Sequence, residues 1–232
     1  MAAGSASLRR SSQPMNKAKI IQNWNLYVIT DEQLGRGRTH LQMAQNAITG
    51  GADVIQLRDK NASGKKLYET GLELKHLASE QKVSFIVNDR LDLGLILDAD
   101  GIHVGQSDIP VEAARRLLGP HKILGVSAAS LMEALHAEAD GADYLGVGPI
   151  FEARGTKADA GNPQGLDLLI QIRQKCRLPL IAIGGINRQN VSRVIRAGAD
   201  GVAVISAIVS ADDISEAANQ IKSAILKEKS KR

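Results

Sequence analysis

Gly198-Ala199-Asp200-Gly201-Val202-Ala203-Val204-Ile205 compresses one structural joint into eight residues. A glycine accepts the left-handed conformation that closes a helix, an aspartate opens the next element, and a β-branched run reads as a short strand. The helix being closed is visible upstream in the apolar stripe of Val191, Val194 and Ile195. Related joints recur as Gly51-Ala52-Asp53, Ala99-Asp100-Gly101 and Gly141-Ala142-Asp143. Strand candidates lie at residues 26–29, 53–57, 83–87, 101–104, 123–126, 144–147, 180–183 and 202–205, with helical spacing between them. Strands alternating with helices imply parallel pairing. Eight such units within about 200 residues, uninterrupted by a linker, predict an α/β fold of one domain, a (β/α)8 TIM barrel, rather than an open doubly wound sheet.

Composition narrows the function classes. At 44% apolar and 23% charged residues the chain has the balance of a globular protein, and no run approaches the roughly 18 apolar residues that a membrane span needs. Six aromatic residues are too few for a platform of stacked nucleic-acid bases. The formal charge of +4 is concentrated at the ends: Arg9, Arg10, Lys17 and Lys19 face no acid, and Lys222, Lys227, Lys229, Lys231 and Arg232 face only Glu228. The body between them is therefore acidic, and the basic ends read as solvated tails. Residues 1–22 are expected to be a flexible basic leader, 23–226 the barrel and 227–232 a basic tail. The leader lacks the apolar core of a secretory signal, although its Ala, Ser and Arg bias leaves organelle targeting open. A single cysteine, Cys176, excludes an internal disulfide and fits a buried small hydrophobe in a reducing, cytoplasmic setting.

In a (β/α)8 barrel the reactive groups gather at the C-terminal ends of the strands. There the sequence sets Gln56-Leu57-Arg58-Asp59-Lys60, Asn88-Asp89-Arg90 and Gly105-Gln106-Ser107-Asp108 after the second, third and fourth strands. Ser127 ends the fifth, Gly148-Pro149-Ile150 leads from the sixth to Thr156-Lys157, Gly184-Gly185-Ile186 follows the seventh, and Ile205-Ser206 ends the eighth. Taken singly, Gly184-Gly185 reads equally well as a tight turn, and Asp89 or Asp108 as a surface carboxylate or helix cap. Jointly, a Gly-Gly turn with Asn187 at a helix start and Ser206 at the next strand end matches the phosphate cup of such barrels. Two carboxylates on adjacent strands beside Arg58, Lys60 and Lys157 suit a magnesium diphosphate site, because Mg²⁺ takes one or two protein carboxylates and fills its remaining positions with water and phosphate oxygens. Mn²⁺ suits the same donors. His103 has no second His or Cys at ligand spacing and is expected to pack inside the barrel.

The stretches LYVITD, QLRDK, VNDR, DGIHVGQSD, ILGVS, DYLGVGPIF with a following TK, AIGGI and GVAVIS occur in the order and spacing of the thiamin phosphate synthase family, which the chain resembles over residues 25–210. The resemblance implies a Mg²⁺-dependent transferase that condenses hydroxymethylpyrimidine diphosphate with hydroxyethylthiazole phosphate and releases pyrophosphate. It assigns the pyrimidine diphosphate to Gln56, Arg58, Lys60, Asn88, Ser127 and Lys157, with Arg58, Lys60, Ser127 and Lys157 as the catalytic set. It assigns Mg²⁺ to Asp89 and Asp108, and the thiazole phosphate to Thr156, Gly185, Ile205 and Ser206. Its partners are phosphorylated small molecules, with neither nucleic acid nor membrane, and homo-oligomerisation stays open. Two departures stand out. Phe151 is followed by Glu152-Ala153-Arg154-Gly155-Thr156-Lys157 where the family has Pro-Thr-x-Thr-Lys, and Ala129 stands where many relatives have His. A thiazole tautomerase on the same barrel and a noncatalytic thiamin-phosphate binder are the competing readings.

Overall fold

A computed structural model describes residues 16–152 and 162–231. The chain runs α1 (Lys17–Gln22), β1 (Leu26–Thr30), α2 (His40–Thr49), β2 (Val54–Leu57), α3 (Gly64–Gln81), β3 (Ser84–Asn88), α4 (Leu91–Ile96) and β4 (Gly101–Val104). It continues through α5 (Val111–Leu118), β5 (Ile123–Ala128), α6 (Leu131–Ala139), β6 (Tyr144–Val147), α7 (Gly165–Lys175), β7 (Leu180–Ile183), α8 (Val191–Arg196), β8 (Gly201–Val204), α9 (Ser206–Val209) and α10 (Ile214–Lys229). Every strand is parallel to the next, and β8 returns to β1, with Leu26 opposite Val202 and Tyr27 opposite Ala203, so the sheet closes into the expected eight-stranded barrel. β1 and β5 run beyond their expected ends because Thr30 still pairs with Leu57 and Ala128 with Val147.

The recurring joints explain how the strands are aligned. Gly51, Gly141 and Gly198 have φ of 97°, 95° and 112°, while at the remaining joint Asp98, with φ of 50°, takes the left-handed position that glycine fills elsewhere. Each following aspartate reaches sideways to the strand before its own. Asp53 Oδ2 accepts from the Asn25 and Leu26 amides at 2.8 and 2.9 Å, Asp100 Oδ2 from Phe85 at 2.8 Å, Asp143 Oδ2 from Leu124 at 2.9 Å and Asp200 Oδ2 from Leu180 at 2.8 Å. A cation then neutralises each carboxylate: Lys222 on Asp53, Lys75 on Asp100, Arg115 on Asp143 and Arg173 on Asp200.

Inside the barrel, missing side chains make room for large ones. A Cβ on Gly125 would lie 2.1 Å from the Tyr144 ring, and one on Gly146 would lie 2.8 Å from the His103 imidazole. At the N-terminal end Trp24 meets Tyr27 and Tyr144 edge-on at 5.7 and 5.2 Å and donates its indole N–H to Ser84 Oγ. Cys176 is buried just past α7, where burial pushes its thiol pKa up.

The expected boundaries at 22 and 227 shift. The last part of the basic leader forms α1, capped by Asn16 and anchored by buried Ile21, and α10 carries helix through to Lys229. Three cations counted as tail charges have partners in the body: Lys17 on Asp143 at 2.7 Å, Lys222 on Asp53, and Lys229 on Asn25 Oδ1 at 2.7 Å. Removing an aspartate strands a backbone amide and a cation together. Asp143→Ala is expected to lower the unfolding free energy by about 1–3 kcal/mol, read as a fall of about 2–4 °C in Tm per kcal/mol in calorimetry.

Candidate active site

A cavity of about 550 Å³ opens at the C-terminal ends of the strands. Its lining brings together Gln56, Arg58, Lys60, Asn88, Asp89, Asp108, Ser127, Gly185, Ile205 and Ser206, ten of the twelve residues singled out from the sequence. Thr156 and Lys157, with Arg154 of the altered loop, lie outside the described residues. These residues thus converge on one rim although they come from six different strand ends.

Arg58 dominates the electrostatics. It is 7% exposed, and its Nη1 donates to Asp31 Oδ2 at 2.7 Å. Asp31 is itself held by the Gln33 amide on Oδ1. The Arg58 Nε–H is buried without a hydrogen-bond partner, a costly arrangement in the residue that brings positive charge to the cavity wall. Asp89, directly after β3, has φ of 58°, a conformation that strains a residue other than glycine, and its amide is fixed by the His103 carbonyl at 2.8 Å. Asp108 folds back so that Oδ2 accepts from the Gly105 amide at 2.7 Å. Two hard-oxygen carboxylates lining one cavity beside arginine and lysine form a donor set that fits Mg²⁺.

The phosphate-cup reading gains geometry. Gly184 and Gly185 have φ of 99° and 62°, and a Cβ on either would lie 2.5 or 2.6 Å from the backbone of Pro149 or Glu152, so only glycine fits this turn. Asn190 Nδ2 ties the turn by donating to the Gly185 carbonyl at 2.9 Å. The helix expected to start at Asn187 begins instead at Val191, because residues 188–190 form a turn that the Asn190 side chain closes onto the Asn187 amide.

Deeper in the barrel a hydrogen-bonded chain links two of the expected pyrimidine contacts. Gln56 Nε2 donates to Tyr27 Oη at 2.7 Å, Tyr27 meets Tyr144 Oη at 3.0 Å, Tyr144 meets His103 Nδ1 at 3.0 Å, and His103 Nε2 meets Ser127 Oγ at 2.9 Å. Burial pushes both tyrosine pKa values up, so both hydroxyls keep their protons. His103 is therefore the interior histidine anticipated. Tyr27 and Tyr144 escaped the sequence reading, as did Glu133, which lines the cavity and holds the Ala129 amide at 2.7 Å. Strand alternation offers the missing signal for one of them, since Tyr27 shares an inward face with Ile29.

Fold and rim together define a (β/α)8 barrel whose mouth is built for anionic small molecules. The sequence family described as thiamine monophosphate synthase matches residues 26–208, and the chain belongs to that family. It is 55% identical over 211 residues to a thiamine-phosphate synthase of Chloroflexus aurantiacus, covering 91% of this chain and 96% of the relative. It is 50% identical over 208 residues to one of Moorella thermoacetica, covering 90% and 99%. Among solved structures, a thiamine phosphate pyrophosphorylase from Pyrococcus furiosus superposes with a TM-score of 0.83 at 40% identity, covering 90% of this chain and 98% of that one. Because Asp31→Ala leaves the Arg58 charge buried and unpaired, it is expected to destabilise the fold by about 3–5 kcal/mol in urea unfolding at neutral pH.

Proposed function

We propose that this mouth condenses hydroxymethylpyrimidine diphosphate with hydroxyethylthiazole phosphate to give thiamin phosphate and pyrophosphate. The observation that carries this reading is the buried Arg58, which lines the same cavity as Lys60, Asp89 and Asp108. The relatives reported above bear the synthase name, so the tautomerase and noncatalytic readings are not favoured.

Gln56 commits one amide N–H to Tyr27, which orients its carbonyl oxygen as an acceptor for an amino group on the pyrimidine. Asn88 and Ser127 border the same ring, and the tyrosine–histidine chain fixes Ser127 and Gln56 with respect to each other. Arg58 and Lys60 hold the diphosphate, and Lys157 is assigned to the same group. The carbon–oxygen bond to the diphosphate breaks with both electrons leaving on oxygen. The resulting methylene cation is captured by the lone pair of the thiazole nitrogen, so no general base is required. The side chains stabilise charge that grows on the leaving group, where fixed cations are most effective. Mg²⁺, held by Asp89 and Asp108, supplies further positive charge to the departing oxygens when it is bound. Gly185, Ile205 and Ser206, joined by Thr156, anchor the thiazole phosphate, which keeps the acceptor nitrogen close to the cation and water away from it. The altered loop carries Arg154 in place of the family's usual pattern, and a cytoplasmic setting suits phosphorylated substrates.

Purified protein given both substrates and Mg²⁺ is expected to release pyrophosphate with thiamin phosphate in equal amounts, and a chelator should stop both. Asp108→Asn should lower kcat by about 10²- to 10³-fold, the usual loss for one electrostatic contact. Undiminished turnover in chelator would remove the metal from the mechanism. Gly185→Ala, which crowds the phosphate turn, should raise KM for the thiazole phosphate more than KM for the diphosphate.

A further inference from the structure

The loops that carry the Asp31–Arg58 pair hold a second constellation that the proposed reaction does not use. Glu32 in the loop after β1, His40 at the start of α2 and Asp59 in the loop after β2 bring one ligand atom each within 4.8 Å of one another. His40 has a side chain only 2% exposed, and its Nε2 is buried without a hydrogen-bond partner. Asp59 Oδ2 lies 3.7 Å from it.

The hydrogen bonds around the cluster fix what each atom offers. Thr30 Oγ1 gives its single proton to the Gln56 carbonyl at 3.1 Å. It can therefore only accept at its 2.7 Å contact with His40 Nδ1, which places the imidazole proton on Nδ1 and leaves a lone pair on Nε2. Asp59 uses Oδ1 to accept from the Asn61 and Ala62 amides at 2.9 and 3.0 Å, which turns Oδ2 toward His40. Glu32 Oε1 accepts from the His40 amide at 3.3 Å, holding its carboxylate over the start of α2. Burial pushes the His40 pKa below its ordinary value, against the upward pull of Glu32 and Asp59. A nitrogen lone pair and two carboxylates thus face one another in a largely dry recess. Acceptors so placed repel unless a cation lies between them.

We propose that Glu32, His40 Nε2 and Asp59 Oδ2 bind a divalent transition-metal ion, with Zn²⁺ the best match to one imidazole and two carboxylates. Ligand atoms at about 2.0–2.2 Å from Zn²⁺ stand about 3.4 Å apart in a tetrahedron, so His40 and Asp59 need little movement to close on it. A water completes the fourth position. The Thr30 contact to Nδ1 is the outer hydrogen bond that metal-bound histidines characteristically make. Asp59 adjoins Arg58 and Glu32 adjoins Asp31, so the ion clamps the two loops that carry the buried Asp31–Arg58 pair. It is a structural ion, separate from the Mg²⁺ assigned to Asp89 and Asp108, and its existence does not depend on the reaction proposed above.

The test is Zn²⁺ titration by calorimetry on the full, chelator-stripped chain without substrates, paired with the visible spectrum of the Co²⁺ form. Wild type and Asp89→Asn should take up one equivalent of metal alike and gain thermal stability from it. His40→Gln should lose the uptake and the Co²⁺ band. Asp59→Asn should do the same if His40→Gln folds poorly, with circular dichroism reporting the fold of each. Thr30→Val, which removes the outer contact while keeping shape, should weaken affinity by about 10- to 100-fold. The proposal is overturned if the wild type takes up no Zn²⁺, or if uptake survives in folded His40→Gln and Asp59→Asn. Loss of uptake in Asp89→Asn alone overturns it too, by placing the ion at the mouth. So does an imidazole protonated on both nitrogens at neutral pH in Zn²⁺-treated protein, seen by nitrogen NMR.

Discussion

Parallel strands that begin together at one end of a barrel expose backbone amides there, and a buried amide without an acceptor is costly. Four aspartates answer this constraint, each set before an even-numbered strand and reaching to the start of the odd-numbered strand ahead of it. The carboxylates would repel one another if unpaired, so each carries a lysine or arginine from a neighbouring helix. The opposite rim depends on this arrangement. The expected site residues that meet at the mouth come from six strand ends, and their distances hold only if the strands keep a fixed register.

Barrel and rim were legible because both follow from local pattern. The β-branched runs, the Gly-Ala-Asp joints and the polar residues just after each strand are statements about neighbours in sequence. The joint at Asp98 shows the limit: the sequence reading expected the same device at Ala99-Asp100-Gly101, but the left-handed residue there is an aspartate one position earlier. The basic ends misled for a different reason. Counting charge locates Lys17 and Lys222 in sequence, yet their partners Asp143 and Asp53 are remote along the chain and adjacent only after the barrel closes.

The same distinction separates the legible part of the site from the rest. Arg58, Lys60, Asp89 and Asp108 announce themselves as charged groups following apolar strands. Tyr27 and Tyr144 look like ordinary core residues, and their role as a bridge between Gln56 and Ser127 exists only because Gly125 and Gly146 open space across the barrel. No local pattern reports that a glycine on one strand exists for a ring on another. The partner of Arg58 was similarly hidden, since nothing local in the sequence joins Asp31 to Arg58 until the loop after β1 lies against the end of β2.

The Lys17–Asp143 ion pair and the contact of Lys229 with Asn25 have a geometric corollary. They bring the first helix and the last turn of α10 to the face where the strands start, pointing away from the cavity. A partner seated against α1 and the end of α10 would leave the entrance unobstructed.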